Sequence, residues 1–266
     1  MRLLFFCLLL SCSSPLMAAK LAIIMDDIGY RHTDVEALSL PAGVTFSVLP
    51  HTPLGARLAT AAHAKGHEIM VHLPMQALNG KTMGPGGLNN QLNESEFKQR
   101  VEDAISSVPF AKGSNNHMGS LLTQLDRPMS WLMTVLKQQD LYFVDSITTR
   151  YTKAGEEADA YSVPLLRRQV FLDNQTSKSA LTRQLQQAVH LAKSEGQVVL
   201  IAHPYPETIS FLKTQLQKLT TEGIQLVHAS SLLPLQVAQK TTAPQENKAQ
   251  PWPLSKGKIN PQAQAR

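Results

Sequence analysis

The sequence predicts an α/β protein built as a (β/α) barrel, on the basis of three observations. Seven short segments rich in apolar residues alternate with amphipathic helical segments along the 266 residues, and an eighth strand is predicted at 112–116, which is polar but stands where a strand is due. This alternation indicates parallel strands, because a parallel pair is joined by a crossover that usually contains a helix. A hydrophobic content of 43% is sufficient for one large core. Aspartate or histidine side chains follow most of the predicted strands, where a barrel gathers its functional groups.

The first predicted strand carries the strongest local signal for a functional site. An apolar run from Leu21 to Met25 is followed by Asp26 and Asp27, and Gly29 ends the segment. Because a buried strand excludes water, carboxylates at its end are stable only at a polar opening, next to a metal, a cation or a shared proton. We therefore expect the later strands to supply partners for this pair.

Further strands and helices are predicted from apolar periodicity and capping residues. Strands are predicted at 44–49, 68–72, 112–116, 141–144, 169–172, 198–202 and 225–227. Helices are predicted at 33–40, 177–195 and 207–222, and from Thr52, Asn93 and Asp126 onward. Asn93 and Glu96 form a capping-box pattern, while Thr52 and Asp126 are expected N-caps. The glycine-rich loop at 73–92 has a length typical of functional loops.

The carboxylates and imidazoles at the predicted strand ends indicate one shared metal site. The set comprises Asp26, Asp27, His51, His72, His117, Asp145, Asp173 and His203. Nitrogen and oxygen donors suit a divalent cation, with zinc as the leading candidate. Such an ion lowers the pKa of bound water and polarises a carbonyl group. The glycines at 84–87 lack the strand-to-helix context of a phosphate loop, which argues against nucleotide binding there.

The first 19 residues have the order of a secretory signal peptide. Arg2 precedes an apolar run at 3–10, and Ala18 and Ala19 offer a cleavage site. The run is too short to span a membrane and no later stretch is apolar enough, so we expect a soluble periplasmic protein without a transmembrane segment. Both cysteines lie within this segment, so the mature domain has none. An alternative is a lipoprotein retained through a lipidated Cys12.

The net charge of +5 is concentrated near the C-terminus. Residues 20–237 contain 19 basic and 19 acidic residues, whereas 238–266 contain five basic residues and Glu246. This last segment is rich in proline and glutamine and lacks apolar periodicity, which predicts a disordered basic tail. We interpret the tail as solvated, with weak contact to an anionic envelope surface as the alternative. The balanced charge of the domain gives no indication of nucleic-acid binding.

Several motifs together resemble a known enzyme family. The aspartate pair is followed by Gly-His-Glu-Ile at 66–69 leading into His72, and further motifs occur at 72–75, 115–120, 143–146 and 203–206. They resemble the divergent polysaccharide deacetylase family, within the NodB-homology-like carbohydrate deacetylases. The resemblance covers about residues 20–235, and its most specific part is Asn-Asn-His-Met-Gly-Ser at 115–120. We therefore predict one family domain at 20–237.

The resemblance implies a fold, a reaction and residue roles. The fold would be a deformed barrel of seven to eight strands. The protein would be a secreted, metal-dependent hydrolase that removes N-acetyl groups from an envelope polysaccharide or a peptidoglycan-derived glycan through metal-activated water. By position, Asp27 and His72 are implied as metal ligands, Asp26 as the catalytic base and His203 as the general acid toward the leaving amine. Asp145 is expected to orient or tune an imidazole.

One ligand of the family motif is missing from this sequence. Gln76 stands where the second histidine of His-x-x-x-His is expected, and a neutral amide is a weak zinc ligand. We predict that His117 completes the metal site instead. Substrate contacts are predicted for His51, Asp173, Asn116 and Tyr205. The first two of these could instead cap the following helices.

Two other functions are compatible with the sequence. One is a catalytically inactive protein that binds glycans or organises the envelope and retains the metal-binding barrel. The other is a different metal-dependent amidase or esterase on the same scaffold. Acetate release from N-acetylated glycans distinguishes both from the leading hypothesis.

Overall fold

The computed structural model describes residues 18–234. The predicted signal peptide therefore lies outside the described residues except for Ala18 and Ala19, and Ala19 is already the first residue of the first strand. Cys12 and the predicted basic tail also lie outside them. In the described chain no helix is both long and apolar enough to cross a membrane.

Nine strands form one parallel sheet within residues 18–234. They are β1 (Ala19–Ile28), β2 (Thr45–Val48), β3 (Ile69–Met75), β4 (Ala111–Met118), β5 (Tyr142–Asp145), β6 (Leu165–Arg167), β7 (Val170–Phe171), β8 (Gln197–Ala202) and β9 (Ile224–Val227). Their order is β6-β5-β4-β3-β2-β1-β8-β7, and β9 pairs with β1. The first half of β1 pairs with β9 and its second half with β2, so β9 is only a partial barrel strand.

Six α-helices connect these strands. They are α1 (Gly55–Ala64), α2 (Glu94–Ser106), α3 (Asp126–Gln138), α4 (Ala154–Tyr161), α5 (Lys178–Glu195) and α6 (Pro206–Gln215). Short 3-10 helices occur at His32–Ser39, Leu122–Gln124, Leu216–Glu222 and Ala229–Leu232. Helices therefore alternate with parallel strands, as the sequence predicts.

The two ends of the sheet meet on one stretch of chain, which makes the sheet a deformed barrel. Residues 165–167 pair with β5, and the backbone N–H of Arg168 donates to the carbonyl of Asp145. Two residues later the same stretch pairs with β8, where Leu172 N–H donates to the carbonyl of Ile201. The predicted deformed (β/α) barrel is confirmed. The sequence predicted only the second half of this segment as a strand, at 169–172.

The core has two layers separated by the sheet. On β1, Leu21, Ile23 and Met25 pack toward the helices, whereas Ala22 and Ile24 face the barrel interior with residues of β3, β5 and β8. Side chains of a strand alternate between faces, and both faces of this strand are buried. A parallel strand covered on both sides reads as a continuous apolar run, which is why β1 was identifiable from the sequence.

Some helix starts and strand ends differ from the prediction. Asp126 is the first residue of α3 and not its N-cap, and the hydroxyl of Thr52 donates to the Leu49 carbonyl three residues before α1 begins. The helix predicted at 33–40 is a 3-10 helix at His32–Ser39, and α4 and β6 were not predicted because they are short and lack apolar periodicity. The Asn93–Glu96 capping box is confirmed. β3 and β4 extend to Met75 and Met118, so His72 and His117 lie inside strands.

Candidate metal centre

Three side chains from neighbouring strands converge at the carboxyl end of the barrel. Asp27 Oδ1 lies 3.1 Å from His72 Nε2 and 2.9 Å from His117 Nδ1. The two histidine nitrogens are 3.2 Å apart. These residues belong to β1, β3 and β4, which are distant in sequence. The structure thus brings together the three predicted metal ligands.

Backbone distortion at the end of β1 directs both aspartates to the same place. In a regular strand the neighbouring side chains of Asp26 and Asp27 would point to opposite faces. The pairing of β1 with β2 shifts register between Met25 and Ile28, and Asp27 has a left-handed backbone with φ of 58°. As a result Asp26 Oδ2 also lies 3.7 Å from His72 Nε2. The adjacent carboxylates therefore share one site.

The donor atoms fit a divalent metal. Asp27 Oδ1 is buried, and although both imidazoles approach it, no hydrogen bond of acceptable geometry reaches it. Burial raises the pKa of Asp27, but the two imidazoles outweigh burial and hold this pKa well below its usual range. The carboxylate is thus ionised, as a ligand must be. Two imidazole nitrogens and one carboxylate oxygen are a donor set that zinc accepts in catalytic sites with an open position.

Gln76 does not take part in this cluster. Its side-chain Oε1 accepts from the backbone N–H of Asn90, at 2.9 Å, and its own N–H donates to the carbonyl of Leu88. Gln76 therefore anchors the loop that follows β3. His117, from the adjacent strand, supplies the third donor atom where the family motif has a second histidine.

Asn115 is a site residue that sequence reasoning missed. Its Oδ1 accepts from His72 Nδ1 at 2.7 Å and from Ser47 Oγ at 2.6 Å, and its Nδ2 donates to Asp26 Oδ1 at 2.8 Å. Because only the amide nitrogen can donate to a carboxylate, the amide orientation is fixed and His72 carries its proton on Nδ1. Nε2 of His72 is then free to bind a metal. Asn115 precedes His117 by two residues, a spacing that places both on one face of β4 and could have identified it.

Replacing Asn115 by alanine is expected to weaken metal binding by about 10- to 100-fold. The substitution removes the acceptor that orients His72 and leaves buried groups of Ser47 and Asp26 without a partner, which also costs about 1–3 kcal/mol of stability. Zinc titration and thermal unfolding of Asn115→Ala measure both effects. Asn90→Ala, at an exposed side chain, is the matched control. Unchanged zinc affinity in Asn115→Ala would show that Asn115 does not orient His72.

His203 forms a separate pair with a buried carboxylate. Its Nδ1 lies 2.9 Å from Asp173 Oδ1, and its backbone N–H donates to Asp173 Oδ2 at 2.7 Å. Thr208 Oγ1 donates to the same Oδ2 at 3.0 Å. Burial lowers the pKa of His203, but the hydrogen bond and charge of Asp173 outweigh burial and raise that pKa to about 9. His203 is therefore protonated at neutral pH.

Asp26 is enclosed beside the three candidate ligands. It is almost fully buried, and burial raises its pKa against the lowering effect of His72 and His203. Asn115 holds one carboxylate oxygen, so the other faces the cluster. This arrangement leaves a carboxylate oxygen free to take a proton.

A cavity of about 280 Å³ opens above these groups. The cavity is lined by the loop at 82–84 and by the side chains of Asp27, Tyr30, Arg31, His117, His203 and Tyr205. The volume is near the lower limit of ordinary small-molecule sites, about 300 Å³. Tyr205, a predicted substrate contact, thus lines this cavity.

Three other predicted substrate contacts lie away from the cavity. Asp173 is buried behind His203 and binds its ring and its backbone N–H. Its side chain therefore neither lines the cavity nor caps a helix, the two roles that the sequence suggested. Asn116 is buried, where its side chain donates to the Met118 carbonyl and accepts from the backbone N–H of Ser146. His51 is exposed, and its ring lies against Gly86 instead of the cavity.

Asp145 is not joined to an imidazole within the described residues. Its Oδ1 accepts from the backbone N–H of Ile147 at 2.9 Å, and among residues 18–234 its buried Oδ2 receives no hydrogen bond of acceptable geometry. Burial raises the pKa of this carboxyl. Arg168, which follows β6, donates to the carbonyls of Ser146 and Ile147 on the same turn. The contacts of Asp145 thus fix the turn after β5, and none of them orients a histidine.

Sequence comparison finds relatives that match most of the chain. The model of the family described as "Divergent polysaccharide deacetylase" matches residues 23–233. Uncharacterized protein YibQ of Escherichia coli (strain K12) is 38% identical over 229 residues, which cover 86% of this chain and 72% of that protein. An uncharacterized protein of Haemophilus influenzae is 35% identical over 215 residues, which cover 80% and 76%, respectively.

Solved structures share the fold. Uncharacterized protein ATU2773 from Agrobacterium tumefaciens C58 matches with a TM-score of 0.79 and 22% identity, over 82% of this chain and 91% of that one. The lactam utilization protein from Thermus thermophilus matches with a TM-score of 0.51 and 18% identity, over 80% and 100%. At these identities the likeness shows the α/β barrel fold alone.

Proposed function

The chain belongs to the divergent polysaccharide deacetylase family, and from this premise we propose that it is a metal-dependent hydrolase of N-acetyl groups on an envelope polysaccharide. The observation that carries the proposal is the convergence of Asp27, His72 and His117 within 3.2 Å of one another. Asp26 and His203 stand beside this cluster with acid–base chemistry suited to amide hydrolysis. The support for amide hydrolysis therefore comes from these five side chains together with the family.

The cofactor we propose is zinc, held by Asp27, His72 and His117. Two imidazoles and a carboxylate leave a coordination position for water and substrate. A zinc ion bound there would lower the pKa of water and polarise the acetamido carbonyl. Asn115 fixes the proton of His72 on Nδ1 and so presents Nε2 as the ligand.

Two side chains, Asp26 and His203, carry out the two proton transfers of the proposed reaction. Asp26, whose free oxygen faces the ligands, accepts a proton from the attacking water. His203, held in its protonated form by Asp173, donates a proton to the leaving amine. Acetate and a free amino sugar are then the products of one amide and one water. Enclosure of Asp26 strengthens these interactions because little water competes with them.

We propose the periplasm as the site of action. The proposal rests on the N-terminal order of Arg2, an apolar run at 3–10 and small residues at 18 and 19. The substrate would then be an N-acetylated polysaccharide or a peptidoglycan-derived glycan of the cell envelope. Fractionation of cells that produce the full chain tests this placement.

Acetate release tests the proposed reaction. Zinc-loaded protein is incubated with N-acetylglucosamine oligomers and with soluble peptidoglycan fragments, and free acetate and free amines are measured in parallel. We expect equal amounts of both products, and none from protein stripped of metal. Glycan binding without acetate release from any N-acetylated glycan would overturn the proposal and favour the inactive glycan-binding protein.

Replacing Asp173 by asparagine is expected to move the alkaline limit of activity to lower pH. As a general acid His203 must be protonated, so wild-type activity is lost as the pH rises through the His203 pKa of about 9. Without the Asp173 charge this pKa falls toward 6.5, and activity is lost at correspondingly lower pH. The measurements are the pH profile of kcat and an NMR titration of the His203 ring. An unshifted alkaline limit in Asp173→Asn, equal to that of the exposed control Asp159→Asn, would contradict the role of His203.

A further inference from the structure

Arg31 is a cationic side chain on the wall of the cavity, and it forms no salt bridge within the described residues. Among residues 18–234 the salt bridges join other residues, and none includes Arg31. Its guanidinium carbon instead lies 6.0 Å from the centre of the Tyr205 ring, at the outer range of a cation–π contact. The N–H donors of Arg31 are therefore available to a ligand in the cavity.

The carboxylates around Arg31 are engaged by other groups. Asp27 faces His72 and His117, and Asp173 binds His203. Asp34 accepts from backbone N–H groups. Among residues 18–234 none of these carboxylates forms an ion pair with the Arg31 guanidinium.

The turn that carries Arg31 is held in place by a buried carboxylate. Asp34 Oδ2 accepts from the backbone N–H groups of Gly29 and Arg31, both at 2.9 Å. Gly29 has φ of 133°, and a Cβ there would lie 2.2 Å from Thr52 Oγ1, so no larger residue fits. Because its backbone is fixed, Arg31 loses less conformational entropy on binding than a residue of a loose loop.

Two tyrosines form apolar walls beside Arg31. Tyr205 lies under the guanidinium, and Tyr30, which is 47% exposed, reaches across toward the loop at Gly84. A Cβ at Gly84 would lie 3.0 Å from the Tyr30 hydroxyl, so the side chain touches this loop. Aromatic faces with one adjacent guanidinium suit a sugar ring that carries a negatively charged substituent.

We propose that the substrate is an anionic amino sugar and that Arg31 binds a carboxylate or phosphate group on, or next to, the N-acetylated unit. This inference rests on the proposed deacetylation and names its substrate class. The guanidinium fork matches the oxygens of either anion through paired charge-assisted hydrogen bonds. Arg31 is then a specificity-determining residue, and it takes no part in the proton transfers.

The experiment compares three acetylated oligosaccharides of equal length. One is neutral, built of N-acetylglucosamine; one carries carboxylates, as in chains containing N-acetylmuramic acid; and one carries phosphate groups. The dissociation constant and kcat/KM are measured with zinc-loaded full-length protein. We expect one anionic chain to be preferred over the neutral chain by about 10-fold, as one charged hydrogen-bonding contact provides. The preferred anion identifies the source of the negative charge.

Variants assign this preference to Arg31. Arg31→Gln is expected to reduce the anionic-to-neutral ratio by about 10-fold, and Arg31→Lys to restore part of it. Arg57→Gln, at an exposed position on α1, is the matched control and should retain the full ratio. Circular dichroism establishes that each variant is folded.

The outcomes separate this inference from the proposed function. Equal affinity for the neutral and both anionic chains, or an unchanged ratio in Arg31→Gln, would overturn the role of Arg31 even if acetate is released. Arg31-dependent binding of an anionic chain without acetate release would overturn the deacetylase proposal but support Arg31 as an anion-binding residue.

Discussion

His117→Ala is expected to lower the affinity for zinc by more than about 100-fold, a larger effect than loss of a residue that only orients a ligand. The imidazole supplies one of three donor atoms that lie within 3.2 Å of one another. With only Asp27 and His72 left, the ion would keep too few protein ligands for a tetrahedral zinc site. Zinc content after dialysis and a competition titration with a chelator measure the loss.

His190→Ala is the matched control for this experiment. His190 is exposed on α5 and lies outside the cluster, so the variant removes one imidazole without changing the site. Side-chain packing is little affected in the His117 variant, because this residue is only partly buried. Full zinc content in His117→Ala would show that the three-residue ligand set is wrong. Gln76, at the position of the second histidine of the family motif, would then be the next candidate ligand.

Asp26→Asn is expected to reduce acetate release by about 10²- to 10⁴-fold, the usual contribution of a general base. The asparagine has nearly the same shape and stays next to Asn115, but it cannot accept a proton from water. Zinc binding should persist, because Asp27, His72 and His117 are unchanged. Parallel measurement of kcat and zinc content separates a lost base from a lost metal.

An exposed aspartate provides the comparison for this variant. Asp159→Asn, on α4, makes the same chemical change away from the cavity and should retain wild-type kcat. If Asp26→Asn releases acetate at the wild-type rate with metal bound, Asp26 is not the base. A variant that loses zinc together with activity would instead make Asp26 part of metal retention.

Local sequence was sufficient for much of the fold. The run before Asp26 is buried on both faces, and the capping box at Asn93 lies at the start of a helix. Such signals depend on neighbouring residues, whose hydrophobicity and hydrogen bonding act over a few positions. The short α4 and β6 carry no comparable signal, because three to eight residues contain too few apolar positions to define a period.

The sequence predicted most residues of the candidate site, but it did not predict which of them contact one another. Asp27, His72 and His117 were predicted as ligands and lie together in the structure, yet Asp173 was assigned to the substrate and Asn115 was overlooked. Asp173 and His203 are 30 residues apart, and they meet because the chain segment at 165–172 pairs with β8. Distance along the chain gives no information on such a contact, since it depends on which strands become neighbours.

The sequence by itself determined the barrel, the aspartate pair at the end of β1 and the histidines that accompany it. These follow from residue type and periodicity, which hold in any chain with the same pattern. Only the tertiary structure decided how His117, which the sequence predicts as the third ligand, comes to lie beside His72, through the pairing of Pro74 on β3 with His117 on β4. It also decided that both aspartates face one site, because the backbone after Met25 departs from strand geometry. Register and local backbone distortion arise from packing of the whole sheet, and no single segment encodes them.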